Sequence, residues 1–206
     1  MPDRIATFSA NGETFYGVVA DGGVIALSPD FPQWPTLREV IEAGSLEKLV
    51  EAAKGRAITH PDDSFQWEIP IPAPEKIICV GVNFPDRNAE YKDGQDAPQN
   101  MSLFIRFPRS FTGHGRPLIR PEVSDKLDYE GEIAAVIGKG GRHIPDAEAL
   151  DHIAALTLCN EGTLRDWVRH AKFNVTQGKN FDKSGAMGPW LVPFRDHAQI
   201  VDVHLT

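Results

Sequence analysis

The stretch Leu127-Asp128-Tyr129-Glu130-Gly131-Glu132-Ile133, continuing as Ala134-Ala135-Val136-Ile137, sets three carboxylates into what reads as a β-strand. Side chains at i and i+2 of a strand share a face, so Asp128, Glu130 and Glu132 are predicted to project together, opposite Tyr129, Gly131 and Ile133. Farther along, both faces turn apolar, with Ala134 and Val136 on one and Ile133, Ala135 and Ile137 on the other, as in a strand entering a core. Two readings fit the acidic face. Either it is solvated, or the carboxylates gather around a cation at the mouth of a core, because like charges repel and oxygen ligands suit Mg2+, Mn2+ or Ca2+.

A third ligand has to come from elsewhere in the chain. Asn160-Glu161-Gly162-Thr163-Leu164-Arg165-Asp166 follows an apolar run and opens a helical pattern, which puts Glu161 at a strand end. There it either converges on the same point or serves as a first-turn acid complementing the helix dipole. The helix is predicted to start at Thr163, where Thr163-x-x-Asp166 resembles a capping box ahead of Trp167 and Val168. A second short helix is expected after Pro145-Asp146. Lys76-Ile77-Ile78-Cys79-Val80-Gly81-Val82 reads as a strand buried on both faces, and Ser102 to Phe107 as extended structure beyond a polar loop at 92–100. Further strands are expected at 127–137, 154–160, 188–193 and 199–205. Little helix separates them, so the sheet should be antiparallel or mixed rather than built from βαβ units.

Upstream, Asn11-Gly12 between Ile5-Ala6-Thr7-Phe8 and Thr14-Phe15-Tyr16-Gly17-Val18-Val19 is a strong hairpin signal, and Gly23 to Leu27 adds a third strand. From Thr36 to Lys54 the apolar period becomes helical, with Leu37, Val40, Ile41, Leu46, Leu49 and Val50 on one face and an interruption at Gly44-Ser45. Ile69-Pro70-Ile71-Pro72-Ala73-Pro74 cannot continue a helix or a ladder, since each proline lacks an N–H and fixes φ. The expected organisation is α+β and β-rich: a small meander-plus-helix domain at 1–72 and a mixed β domain at 73–206.

A formal charge of −8 argues against a polyanionic partner such as nucleic acid. No apolar run nears the ~20 residues that span a bilayer, and Met1-Pro2-Asp3-Arg4 does not open a signal peptide. Cys79 and Cys159 each sit in an apolar run, as buried free thiols of a reducing compartment do. A cytoplasmic location is the expectation.

Four segments together resemble the fumarylacetoacetate hydrolase family, covering the chain from Lys76 to about Pro193. They are Lys76 to Val82 with Asn83-Phe84; Leu127 to Glu132 with Val136-Ile137-Gly138-Lys139; Asn160-Glu161 with Arg165-Asp166; and Gly178-Lys179-Asn180-Phe181-Asp182 with Gly188-Pro189. The resemblance implies a β fold of that family's type and a metal site of Glu130, Glu132 and Glu161 holding Mg2+, or else Mn2+ or Ca2+. The last ligand is usually Asp in the family, and Glu is longer by one C–C bond, ~1.5 Å. It also implies Lys179 as the cationic partner of negative charge developing on substrate. Arg165 would bind a substrate carboxylate or orient Glu161, and Asn83 would contact substrate. The implied substrate is a small 2-oxo or 1,3-diketo acid, and the implied assembly is a homodimer.

The departures lie in the segment after the first strand. Family hydrolases have a His there, followed three residues later by a Glu, and the pair activates water. Here Arg87 stands in place of the histidine while Glu90 is retained, and a guanidinium cannot act as a general base. Val168 replaces a substrate-facing Gln. Lys179, Glu90 and Arg87 remain the catalytic candidates, with His114 in the turn Thr112-Gly113-His114-Gly115 considered as a substitute base. C–C bond hydrolysis is the first expectation. The alternatives are decarboxylation or keto–enol isomerisation, which need no activated water, or a catalytically silent oxo-acid binder. The family's Thr-Gly-Thr-Pro type segment is not found, which implies a missing C-terminal part.

Overall fold

Asn11 and Gly12 both take positive φ, 52° and 82°. They form the two-residue turn whose twist matches the strands it joins. It connects β1 (Ile5–Ala10) to β2 (Glu13–Ala20) in antiparallel register from Ile5↔Val18 to Ala10↔Glu13. β3 (Gly23–Ala26), β4 (His60–Pro61) and β5 (Gln66–Trp67) complete a sheet of order β4-β3-β2-β1-β5. The computed structural model describes residues 3–83, 100–170 and 174–200.

The helical period resolves into α1 (Leu37–Glu42) and α2 (Leu46–Ala53), broken where expected by Gly44-Ser45. Thr36 starts α1 with a capping box, its backbone N–H donating 2.8 Å to the Glu39 carboxylate. Leu37, Val40, Ile41, Leu46 and Leu49 pack with Ile5, Tyr16, Ile25 and Leu27 in one apolar core. That core also takes in Ala155 and Leu191, from the chain beyond the proline-rich segment. Ile5 and Leu191 seal the junction with a pair of backbone hydrogen bonds of 2.9 and 2.7 Å.

Beyond that segment, β6 (Ile78–Gly81) pairs with β7 (Ser102–Ile105). β8 (Phe111–Thr112), β9 (Leu127–Asp128), β10 (Gly131–Ile137), β11 (Ile153–Asn160), β12 (Thr163–Leu164), β13 (Gly185–Met187) and β14 (Val192–Pro193) follow. The main sheet runs β10-β11-β13-β8, with β14 also pairing β11. β13 and β8 are parallel and the other pairs antiparallel, so the sheet is mixed. A turn of 3-10 helix at Asp146–His152 stands where a helix was expected.

Several expectations are corrected. The strand expected at 127–137 is two strands: β9 pairs with β12, β10 pairs with β11, and Tyr129-Glu130 carries the chain from one sheet to the other. Only the even face of β10 is packed, while Ile133 and Ile137 on the odd face are 38% and 61% exposed. β6 likewise is covered on one side, with Ile78 58% exposed, because its hairpin with β7 is a two-stranded ribbon. An apolar run reports preference, and the number of layers decides whether both faces are used.

Thr163 lies in β12 rather than at a helix start, its hydroxyl donating to the Glu161 carbonyl at 2.9 Å. The helix is a single turn at Trp167–His170, where Asp166 accepts from the Trp167 N–H at 3.0 Å. Of 188–193, only Val192-Pro193 is a strand. His197–Ile200 form 3-10 helix, and the rest of the strand expected at 199–205 lies outside the described residues.

Leu191 is fully buried at the seam between the meander and β11. Truncation in Leu191→Ala leaves a cavity shared by both halves and is expected to lower stability by about 2–5 kcal/mol in urea unfolding. An unchanged midpoint would contradict a common core.

Candidate metal centre

Register brings the acids together. In the β10–β11 ladder Gly131 lies opposite Asn160 and Glu132 opposite Cys159. One step before the ladder, the Glu130 N–H donates to Asn160 Oδ1 at 3.1 Å and the Glu161 N–H donates to the Glu130 carbonyl at 2.7 Å. Glu130 and Glu132, two residues apart, therefore converge with Glu161 at the end of β11. Among the described residues these three form the one group of His, Cys, Asp or Glu side chains whose ligand atoms all lie within 4.8 Å of one another.

Gly162 lets the Glu161 corner close. A Cβ there would stand 1.9 Å from the Ser184 carbonyl oxygen, so any larger residue pushes β11 away from the turn before β13. That turn follows the short helix Thr176–Lys179, which delivers Lys179.

Lys179 is 6% exposed. Its ammonium forms an ion pair with Glu130 Oε2, lies 3.5 Å from Glu161 Oε2, and sits 5.0 Å from the centre of the Phe104 ring on β7. Arg165 reaches the other side of Glu130, with contacts of 2.6 Å to Glu130 Oε1 and 2.8 Å to Asp128 Oδ2. Orientation by Arg165 thus falls on Glu130, where the resemblance suggested Glu161. Asp128, expected on the same face as the two glutamates, lies in β9 across from Thr163 and outside the cluster, because the strand breaks after it.

Glu161 is 5% exposed, and its Oε1 accepts no hydrogen bond from the described residues. A buried carboxylate oxygen without a donor is costly, by about 1–3 kcal/mol or more, unless a cation meets it. Burial, reinforced by Glu161 and then Glu130 and opposed by Lys179, pushes the Glu132 carboxyl up to about 7. Behind the cluster the Cys79 thiol is pushed up by burial and then by Glu161, and Cys159 is pushed up to about 12, chiefly by burial. Both thiols stay protonated, Cys159 as packing and Cys79 as a weak donor facing the Glu161 carboxylate. An all-oxygen donor set with an orphaned buried oxygen fits a hard divalent cation.

The remaining candidates are less gathered. Asn83 is exposed just past β6, and His114 is exposed in the turn after β8. Val168 is half-buried on the one-turn helix. Arg87 and Glu90 lie outside the described residues. Sequence reading passed over Arg106, which is 2% exposed behind Glu161. Its signal is an arginine closing the apolar run Leu103-Phe104-Ile105, ahead of Phe107.

In the folded, cation-free chain the Glu132 carboxyl holds its proton up to about pH 7, whereas its ordinary value is 4.5. Its contribution to stability therefore declines as pH rises from 4.5 through 7. A cation bound through Glu132 would displace that proton. Mn2+ affinity is expected to be about tenfold weaker at pH 6 than at pH 8, with a proton released in calorimetry at the lower pH. A pH-independent affinity would exclude Glu132 as the titrating ligand.

The profile of the fumarylacetoacetate (FAA) hydrolase C-terminal domain matches residues 76–206. The chain is 43% identical over 126 residues to oxaloacetate tautomerase YisK of Bacillus subtilis, an overlap covering 60% of this chain and 41% of the relative. It is 35% identical to mitochondrial oxaloacetate tautomerase fahd2 of Xenopus laevis, covering 84% of this chain and 55% of the relative. The chain thus spans about half the length of these curated relatives. Among solved structures, a fumarylacetoacetate hydrolase from Exiguobacterium antarcticum superposes with a TM-score of 0.75 at 29% identity, over 93% of this chain and 66% of the other. A maleylpyruvate hydrolase from Sphingobium, solved with manganese(II) and pyruvate, shares the fold at 23% identity with a TM-score of 0.71, over 97% and 69% of the two chains. With an α+β, strand-rich fold matching these structures and a family profile spanning most of its length, the chain belongs to the fumarylacetoacetate hydrolase family.

Proposed function

We propose that this chain carries the metal centre of a keto–enol isomerase acting on a small 2-oxo diacid of the oxaloacetate type. The observation that carries the reading is the convergence of Glu130, Glu132 and Glu161 with an unpartnered buried oxygen on Glu161. The relatives named oxaloacetate tautomerase support isomerisation over the C–C hydrolysis that family resemblance suggested first. Glu130, Glu132 and Glu161 would hold Mg2+ or Mn2+, and the manganese in the Sphingobium structure is consistent with that choice. When bound, such a cation supplies a Lewis acid for negative charge on the 2-oxo oxygen.

Isomerisation asks little else of the protein. A base takes one proton from C3 of the oxo acid and an acid delivers one to the oxygen on C2; no water is consumed and no carbon–carbon bond breaks. The Arg87 replacement is compatible with this chemistry, since the residue that would deprotonate water for hydrolysis is not needed. Lys179, buried beside Glu130 and Glu161, supplies a fixed positive charge next to the developing oxyanion. Arg165, held by Asp128 and Glu130, fixes the orientation of Glu130 and presents a guanidinium of the kind that pairs with a substrate carboxylate.

The test follows enol absorbance of oxaloacetate with Mg2+ or Mn2+, together with product analysis. Isomerisation leaves the mass unchanged, decarboxylation releases CO2, and hydrolysis of an acylpyruvate gives two acids. Metal-dependent equilibration is expected, falling about 100-fold or more in Glu132→Gln, Glu161→Gln and Lys179→Met. Acceleration of acylpyruvate cleavage without acceleration of tautomerisation would return the reading to a hydrolase. Oxalate binding without turnover of either substrate would mark a silent binder.

A further inference from the structure

Arg106 is the largest fully buried side chain among the described residues, and it forms no ion pair there. Its guanidinium donates only to neutral oxygens: Nε to Ser110 Oγ at 3.1 Å, Nη1 to the Gly162 carbonyl at 3.3 Å, and Nη2 to the Ser110 carbonyl and Ser184 Oγ, both at 3.3 Å. The Phe111 ring lies 4.2 Å from it. Burial still weighs against the charge, although Glu161 and, less strongly, Glu130 attract it without touching it, and an apolar side chain of similar volume would avoid that cost.

What the fork does that an apolar group cannot is join segments. Gly162 follows the ligand Glu161, and Ser184 lies in the turn after Lys179, against which Gly162 closes with no room for a Cβ. Asn180, next to Lys179, grips the backbone on either side of Arg106: its Oδ1 accepts from the Phe107 N–H at 2.7 Å and its Nδ2 donates to the Ile105 carbonyl at 3.1 Å. The strand end bearing Glu161 and the helix–turn segment bearing Lys179 are thus tied to one guanidinium.

We propose that Arg106 is the positioning residue of the metal centre, its planar fork fixing the Glu161 corner against the Lys179 segment so that the three carboxylates meet at one point. This rests on the reading of Glu130, Glu132 and Glu161 as metal ligands. The fork geometry carries the role, since a lysine keeps the charge but cannot span Ser110, Gly162 and Ser184 together.

The experiment measures Mn2+ binding by electron paramagnetic resonance of free Mn2+, without substrate, well below each variant's unfolding temperature. Arg106→Met and Arg106→Lys are both expected to weaken Mn2+ binding about 10- to 100-fold, as loss of supporting contacts around a metal does. Undiminished binding in Arg106→Met, or restoration by Arg106→Lys to within about twofold of wild type, would overturn the proposal. Should neither variant fold, Ser184→Ala removes one acceptor of the fork, along with the hydroxyl's own bond to the Phe181 carbonyl, and is expected to weaken binding about two- to tenfold, and unchanged binding there would overturn it equally. A wild-type chain that binds no Mn2+ is a separate result, which sinks the metal reading itself.

Discussion

Three carboxylates held within 4.8 Å of one another repel strongly, and much of this structure serves to hold them there. Lys179 and Arg165 take opposite oxygens of Glu130, which fixes that carboxylate at both ends. Glu161 is buried with one oxygen facing Lys179 and the other without a donor among the described residues, while Glu132 responds by holding its proton to about pH 7. Lys179, Arg165 and, from behind, Arg106 offset much of this charge, yet none of them meets Glu161 Oε1. That unmet oxygen favours a divalent ion, and it gives a physical reason for acids in a place where apolar side chains would be more stable.

The scaffold supplies the convergence through register. A shift of one residue between β10 and β11 would turn Glu132 away from Cys159 and out of the cluster. The seam of Ile5 with Leu191, and the core shared by α1, α2 and β11, hold the far end of that ladder. Near the site, Gly162 and Arg106 close the corner between β11 and β13.

Much of this was legible in the sequence because it depends on local spacing. The Asn11-Gly12 hairpin, the split helical stripe of 37–53, and Glu130 with Glu132 two residues apart all follow from periodicity. The pairing of Glu161 with them did not. Glu161 could equally have been a dipole-complementing acid, and it was the family resemblance that joined it to the strand. Where the sequence misled, tertiary pairing was responsible. Asp128 left the cluster because β9 pairs with β12, Thr163 joined that same pairing instead of a helix, and Ile78, Ile133 and Ile137 remained exposed despite sitting in apolar runs. Arg106 was invisible because its partners are backbone carbonyls and hydroxyls from segments 4 to 78 residues away, and no spacing rule reports those.

The most direct test of the centre is anomalous diffraction from crystals of the chain soaked in Mn2+. A single strong peak bounded by carboxylate oxygens of Glu130, Glu132 and Glu161 is the expected result. A manganese peak elsewhere with none among these three glutamates would contradict the account.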